Sequence, residues 1–181
     1  MKVSNIHKSI LLFAIIFSIF FYSCSEKDIP RSSLEIKDNL LYKRGSNIPF
    51  TGRERALVNN QIVEYDVKDG YKHGDFRIFS EDGILEIQGQ LDSNRNVGKW
   101  QYYYHNGQIE SEGYFVNDLP DGKWIWNYPD GKKKEIGVYL NGERIGMWYQ
   151  FNNSGEIIFE KNYDIVDSLN TEKDTTNFFN K

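Results

Sequence analysis

Side chains able to do covalent or acid–base work are few in this chain and badly placed for it. The 181 residues hold three histidines and one cysteine. A nucleophile needs a base within hydrogen-bond reach and a third group to orient that base. Neither His73 nor His105 is set in a pattern that favours such a trio. Glu110 and Glu112 alternate along an extended stretch and so share a strand face, the arrangement that would bring two carboxylates near one another. Acidic side chains on exposed strands more often keep an edge soluble. Asn117, Asp118 and Asp121 offer oxygen donors for calcium but lack the bidentate Glu of a complete loop. One cysteine excludes both an intramolecular disulfide and a four-thiolate zinc centre. The reading is of a chain that is not an enzyme, with no catalytic residues, no metal and no cofactor.

Charge narrows the partners. The chain carries 22 basic and 26 acidic residues, a formal −4. Without Lys2 and Lys8 the balance is 20 against 26, or −6. Phosphate binding draws on clustered Lys and Arg, so nucleic acid is not an expected partner. Lys132-Lys133-Lys134 is a local basic run of the kind found at solvated turn tips.

The cysteine has a role because of where it stands. Lys2 and Lys8 open the chain, Ile10 to Tyr22 run apolar except for Ser18, and Phe21-Tyr22-Ser23-Cys24 follows. Basic start, short apolar stretch and small residue are the layout of a secretory signal over residues 1–23. Its apolar stretch rises roughly 20 Å as a helix, short of a bilayer core of about 30 Å. Cys24 after Ser23 resembles a lipobox, with Phe21 where Leu is usual, which makes Cys24 the expected lipidation site. The implied location is the bacterial cell envelope, lipid-anchored, with the outer membrane as the expected membrane. Residues 24–39 then read as a polar tether and 164–181 as a flexible tail.

What would position any functional surface is a repeat. GDFRIFSEDG from Gly74, GKWQYYYHNG from Gly98, GKWIWNYPDG from Gly122 and GMWYQFNNSG from Gly146 align without a gap at a spacing of 24. Phe76, Trp100, Trp124 and Trp148 recur at that spacing, as do Gly83, Gly107, Gly131 and Gly155. A third series, Gly89, Gly113 and Gly137, ends where Lys161 takes the next place. Within a unit, Trp100, Tyr102 and Tyr104 alternate with Gln101, Tyr103 and His105, the period of a strand. Asp-Gly, Asn-Gly or Ser-Gly then marks a hairpin turn at the second glycine series. A return arm follows, then a polar loop such as Asn117 to Gly122 leading to the next copy. A less regular unit begins near Pro49-Phe50-Thr51-Gly52. The expected fold is all-β: an elongated antiparallel meander of β-hairpin repeats over residues 40–163.

The pattern Gly98-Lys99-Trp100 through Gly107, with Glu110 and Tyr114 beyond, resembles the MORN-repeat variant, and the chain resembles the YwqK-type antitoxin family built from such units. That resemblance covers about residues 40–163, with Asn127 departing from the aromatic pattern. It implies a β-hairpin solenoid without enzymatic activity, and a toxin as one candidate partner. A lipid anchor sits awkwardly with a cytoplasmic toxin.

Aromatic residues at the repeat position, Phe76, Trp100, Trp124 and Trp148, read as core stacking from unit to unit. Tyr102, Tyr104, Trp126 and Tyr128 vary between units and are the candidate binding surface. The expected role is protein–protein binding by a rigid sheet held at the envelope. A glycan ligand, gripped by stacking on aromatic rings, is the second expectation, and neutralisation of a toxin the third.

Overall fold

The computed structural model describes residues 30–164. The signal segment, Cys24 and residues 165–181 lie outside the described residues. Twelve strands follow in chain order: β1 (Leu34–Lys37), β2 (Leu40–Lys43), β3 (Gly52–Val58), β4 (Gln61–Lys68), β5 (Tyr71–Phe79), β6 (Leu85–Asp92), β7 (Arg95–Tyr103), β8 (Ile109–Val116), β9 (Leu119–Asn127), β10 (Lys133–Leu140), β11 (Glu143–Phe151) and β12 (Ile157–Asn162). No helix occurs among the described residues. β3 to β12 form one ten-stranded sheet in sequence order, and β1 with β2 forms a separate hairpin. The fold is the all-β hairpin meander that the 24-residue spacing implies.

Two kinds of turn alternate along the sheet. At one end the β3–β4 hairpin closes over Asn59-Asn60, and the four hairpins that follow close over three residues. Gly107 N–H donates to the Tyr104 carbonyl and Tyr104 N–H to that of Gln108, and the same pair of bonds recurs at Ser80, Tyr128 and Asn152. Gly107 sits at φ +81°, a conformation that costs a glycine little. At the other end the turn has only two residues, both with positive φ: Asp69-Gly70, Ser93-Asn94, Asn117-Asp118 and Asn141-Gly142.

These two-residue turns correct the polar loop expected over Asn117 to Gly122. β9 already begins at Leu119, so Pro120, Asp121 and Gly122 are strand residues. Proline is accepted there because nothing awaits its missing donor. Lys72 N–H donates to Asn94 Oδ1 and Asn96 N–H to Asp118 Oδ1. One unit further on, the acceptor position is Gly142, which has no side chain, and its own N–H bonds the Pro120 carbonyl.

The tether is shorter than expected. Leu34 is buried with Leu41 and Val67, against Phe50 and Tyr65, so 34–37 belongs to the fold as β1. This hairpin caps the first repeat: Leu41 N–H bonds the Gly70 carbonyl, and Gly70 N–H that of Phe50.

The opening glycines Gly74, Gly98, Gly122 and Gly146 mark a bulge that sequence periodicity does not reveal. In the β8–β9 pair, Glu112 faces Ile125 while Tyr114 faces Asp121, so β9 carries two extra residues across that step. The same shift occurs in β4–β5, β6–β7 and β10–β11. A bulge frees backbone carbonyls, and the tryptophan two residues on satisfies them. Trp100 Nε1 donates to the Gln90 and Val97 carbonyls, Trp124 Nε1 to Tyr114, and Trp148 Nε1 to Val138 and Ile145.

The third glycine series serves these same indoles. A Cβ on Gly89, Gly113 or Gly137 would lie 2.2, 2.1 or 2.1 Å from the ring of Trp100, Trp124 or Trp148 respectively. Each glycine is the floor on which the next unit's tryptophan lies flat. The first unit has Tyr65 at this place, and there the next unit supplies Phe76, which pairs with it across β4–β5. The last unit has Lys161, with no following tryptophan to admit.

Candidate functional site

Cross-strand register sorts the side chains into two faces. On the first, Trp100, Trp124 and Trp148 are buried, and Phe76 is half-buried. Ring contacts run without a break from Phe76–Trp100 at 5.6 Å, through Trp100–Phe115 at 5.8 Å and Phe115–Trp124 at 5.2 Å, to Tyr139–Trp148 at 5.0 Å and Trp148–Tyr163 at 5.9 Å. Arg144 lies over Trp148, its guanidinium carbon 4.0 Å from the ring centroid. Removing one of these tryptophans is a loss of about 3–5 kcal/mol by analogy with core aromatic truncations.

The residues expected to form a binding surface also lie here. Tyr102 and Trp126 both pair with Ser111, on either side of it, and are half-buried. Trp126 stacks on Trp124 at 5.6 Å and contacts Trp148 at 5.8 Å. Tyr104 and Tyr128 spend their hydroxyls on the neighbouring unit, donating to the Asn127 and Phe151 carbonyls at 2.7 Å in each case. Their placement is that of staples between hairpins.

The second face is the open one, and sequence reasoning passed over it. One row of directly opposed residues crosses the sheet: Arg55, Glu64, Arg77, Gln88, Gln101, Glu112, Ile125, Ile136, Tyr149 and Glu160. Its first half is polar and internally bonded. Gln88 Nε2 donates to Gln101 Oε1 at 2.8 Å and to the Tyr103 hydroxyl at 2.6 Å, and Gln101 Nε2 donates to Glu112 Oε2 at 2.9 Å. Beyond Glu112 it turns apolar at Ile125, Ile136 and Tyr149, and it ends on Glu160.

Shallow depressions on this face repeat with the units. The first, of about 220 Å³, is framed by Asp75, Arg77, Gln88, Gln90, Lys99 and Gln101 around the Gly89 backbone. The second, of about 180 Å³, is framed by Lys99, Glu112, Tyr114, Lys123 and Ile125 around Gly113. Each of these residues stands 24 after a member of the first set. One unit further, the same positions hold Lys123, Ile125, Ile136, Val138, Met147 and Tyr149. Two depressions thus pass from charged to mixed, and the residues at the same positions one unit further are mostly apolar. Tyr114, Val138 and Met147 are exposed, at 52%, 38% and 38%.

Electrostatics fit a surface that stays charged at neutral pH. Lys99 Nζ lies 2.9 Å from Glu112, and this bond holds the Glu112 carboxyl below its ordinary range and Lys99 above its own. Arg53 does the same to Asp66, with Nε 2.7 Å from Oδ1. Carboxyls depressed on folding stabilise the native state at neutral pH, and that contribution disappears as pH falls below about 4. For the raised lysine the sign reverses, with stability lost as pH climbs past about 10.5. Exposed pairs are worth under about 1 kcal/mol, so the acid limb is shallow. Urea midpoints measured from neutral to acid pH should show Glu112→Gln with a flatter acid limb than wild type. Equal limbs would leave the Lys99–Glu112 pair without a share in stability. Among the described residues no group of three or more His, Cys, Asp or Glu side chains is placed to hold a metal ion.

Comparison with known proteins agrees with the repeat. Residues 96–117 and 120–141 match the MORN repeat variant family. The structure carries the same hairpin and bulge into the units on either side of those two, with the indole repeated at Trp148 after them and replaced by Phe76 before them. No curated protein matches the chain. Among solved structures, the glycosylation-associated protein Gap123 complex of Streptococcus agalactiae is similar over 71% of this chain and 22% of its own, at 15% identity and a TM-score of 0.34. The accessory secretory proteins 1, 2 and 3 of Streptococcus pneumoniae are similar over 78% of this chain and 21% of theirs, at 16% identity and a TM-score of 0.18. The chain spans about a fifth of the length of these structures.

Proposed function

We propose that the protein is a non-catalytic repeat module of the YwqK-like, MORN-variant type, held at the bacterial envelope through a lipid on Cys24, and that it binds a protein partner along the second face of its sheet. The observation that carries this reading is the graded composition of the second face from unit to unit. A rigid face that is apolar at Ile125, Ile136, Val138, Met147 and Tyr149 and polar at Arg77, Gln88 and Gln101 resembles an interface with an apolar centre and a polar margin. The gradient gives a long ligand one direction to lie in: its apolar end over β9–β11 and its charged end over β5–β7.

The test compares wild type with Val138→Glu and Met147→Glu, both at exposed positions, in cross-linking within isolated envelopes. The expected result is one partner captured by wild type, with at least about tenfold less captured by either variant. Capture unchanged in both variants would remove the second face from the reading. Anchoring is tested separately by intact mass and membrane fractionation. Acyl mass on a chain beginning at Cys24, lost in Cys24→Ala, supports it, and a full-length unacylated protein opposes it.

The polar depression around Gly89 favours a second reading, a cell-wall or surface glycan held by Asp75, Arg77, Gln88 and Gln101. Retention on isolated cell-wall glycan that is indifferent to Val138→Glu would select it. The antitoxin resemblance makes a toxin the first protein partner to try, above all if the chain proves to be unacylated.

A further inference from the structure

We propose that the β1–β2 cap is a membrane-contacting surface: Arg31, Lys43 and Arg44, with the exposed Ile48 beside them, lie on an anionic lipid surface and set the repeat sheet projecting away from it. Charge is divided unevenly along the chain. Residues 30–51, which precede the repeats, hold four basic and two acidic residues, a formal +2. Residues 52–164 hold 13 basic and 19 acidic residues, a formal −6. Adding Lys27, Glu26 and Asp28 to the first group leaves it positive, at five against four. A negative surface attracts one end of such a chain and repels the other.

The cations of the cap are gathered in one place. Arg31, Lys43 and Arg44 are exposed and frame, with Ser32 and Ser33, an open hollow of about 580 Å³. Backbone pairing builds it. Arg44 N–H donates to the Ser33 carbonyl at 3.1 Å, which continues the β1–β2 ladder past Leu34 and Lys43, and Arg31 bridges to Leu57 of β3. Two carboxylates stand near, and both are engaged. Glu35 binds Lys37 at 2.8 Å and Gly45 N–H at 3.2 Å, while the buried Glu54 accepts the Ser33 N–H at 3.1 Å.

After Arg44 the chain turns back, with Ser46 N–H on the Lys43 carbonyl and Ile48 N–H on Ser46 Oγ at 3.0 Å. The turn leaves Ile48 77% exposed, four residues from Arg44. An aliphatic side chain beside cations suits the headgroup region of a bilayer: the apolar group enters the acyl boundary and the cations stay with the phosphates. A free anion in the hollow would make no use of Ile48.

The contact is placed by the lipid proposed at Cys24 and so rests on that reading. Arg31 stands seven residues after Cys24. That length of chain spans at most about 25 Å, so an acyl group on Cys24 keeps the hollow within reach of the headgroups. β3 lies next to the cap, and β9 to β11 follow six to eight strands later in the sheet. At about 4.8 Å per strand, the apolar part of the second face stands roughly 30–40 Å farther out, clear of the lipid and open to a protein partner.

An environment-sensitive dye on Ile48→Cys tests the contact. A dye on Met147→Cys is the reference, and dye taken up by the parent chain through Cys24 is subtracted. The full chain is mixed with vesicles of pure phosphatidylcholine or with vesicles containing about one third phosphatidylglycerol. The dye on Ile48→Cys should shift to the blue at least about threefold more on the anionic vesicles than on the neutral ones, and the dye on Met147→Cys on neither. Arg31→Gln, Lys43→Gln and Arg44→Gln together should remove the shift. Lys132→Gln, Lys133→Gln and Lys134→Gln, an equal loss of charge within the repeats, should leave it. Equal shifts from the two dyes, equal shifts on the two lipids, or equal effects of the two triple variants would overturn the proposal. So would loss of the shift on adding inorganic phosphate at constant ionic strength, which would make the hollow a site for a free anion. Flotation of the same vesicles reads the anchor separately. A chain that does not float counts against the lipid on Cys24, and the shift from Ile48→Cys in excess lipid still decides for or against the cap.

Discussion

Gly113→Ala is expected to destabilise the fold by about 3 kcal/mol or more, although it adds a single methyl group. That methyl would stand 2.1 Å from the Trp124 indole, a distance at which something must move. The ring cannot tilt away cheaply. Its Nε1 is bonded to the Tyr114 carbonyl, and Phe115, Trp126 and Tyr139 press on it from three sides. The chain itself indicates a rescue, because the Tyr65–Phe76 pair shows that this sheet accepts a side chain at the glycine position once the tryptophan is a phenylalanine. Trp124→Phe alone should be destabilising through lost area and a lost hydrogen bond. Added to Gly113→Ala, it should cost less than the sum of the two by at least about 1 kcal/mol. Urea unfolding followed by tryptophan fluorescence measures all four corners of the cycle, and strict additivity would refute the flat-indole account. Gly122→Ala is the control from the other glycine series. No atom lies within 4 Å of its added Cβ, so only the strain of φ +77° remains, about 1 kcal/mol, with no coupling to Trp124.

Those two glycines mark the boundary of what the sequence can show. Both recur every 24 residues, so periodicity flags them equally. One supplies a left-handed backbone in a bulge and the other a surface on which a ring can lie, a difference that exists only once strands are in register. Strand and turn assignments needed nothing so remote: alternation in Trp100-Gln101-Tyr102-Tyr103 and the Asn106-Gly107 tip are local signals, and the meander follows from them. Asn117 to Gly122 misleads because Asn, Asp, Pro and Gly are loop formers by composition, yet two of them suffice for the turn and the others continue into β9. Leu34 to Lys37 is too short and too polar in its surroundings to announce itself as a strand; burial of Leu34 on Val67 comes from a contact more than thirty residues away. Aromatic character suggested a surface at Tyr104 and Tyr128, whose hydroxyls are taken by carbonyls 23 residues downstream. The graded second face was hidden for the same reason as the bulge, since Gln88, Gln101, Glu112 and Ile125 become neighbours only through pairing.

Junctions this uniform imply that the chain tolerates loss of a whole unit better than loss of a fraction of one. Deleting Gly98 through Asp121, 24 residues, joins Val97 to Gly122. Trp124 would then lie over Gly89 as Trp100 does now, and its indole would find the Gln90 and Val97 carbonyls that Trp100 bonds in the full chain. In a quasi-one-dimensional array each unit contributes its own stability and one junction. The shortened chain should therefore fold cooperatively, with a urea m-value lower by roughly a sixth, in proportion to the structure removed. The new junction has one flaw. Asn96 N–H, which donates to Asp118 Oδ1 in the full chain, would meet the turn that carries Gly142 and find no side-chain acceptor. That costs about 1 kcal/mol and returns if Gly142→Asp is added. Deleting 23 residues instead turns every later side chain to the opposite face, placing Trp124 and Trp148 in water and Lys123 and Met147 in the aromatic layer. That chain should show no cooperative unfolding by circular dichroism or fluorescence. If the two deletions behave alike, stability resides in the individual hairpins and not in the junctions, and the indole-on-glycine contact loses its place as the element that joins one unit to the next.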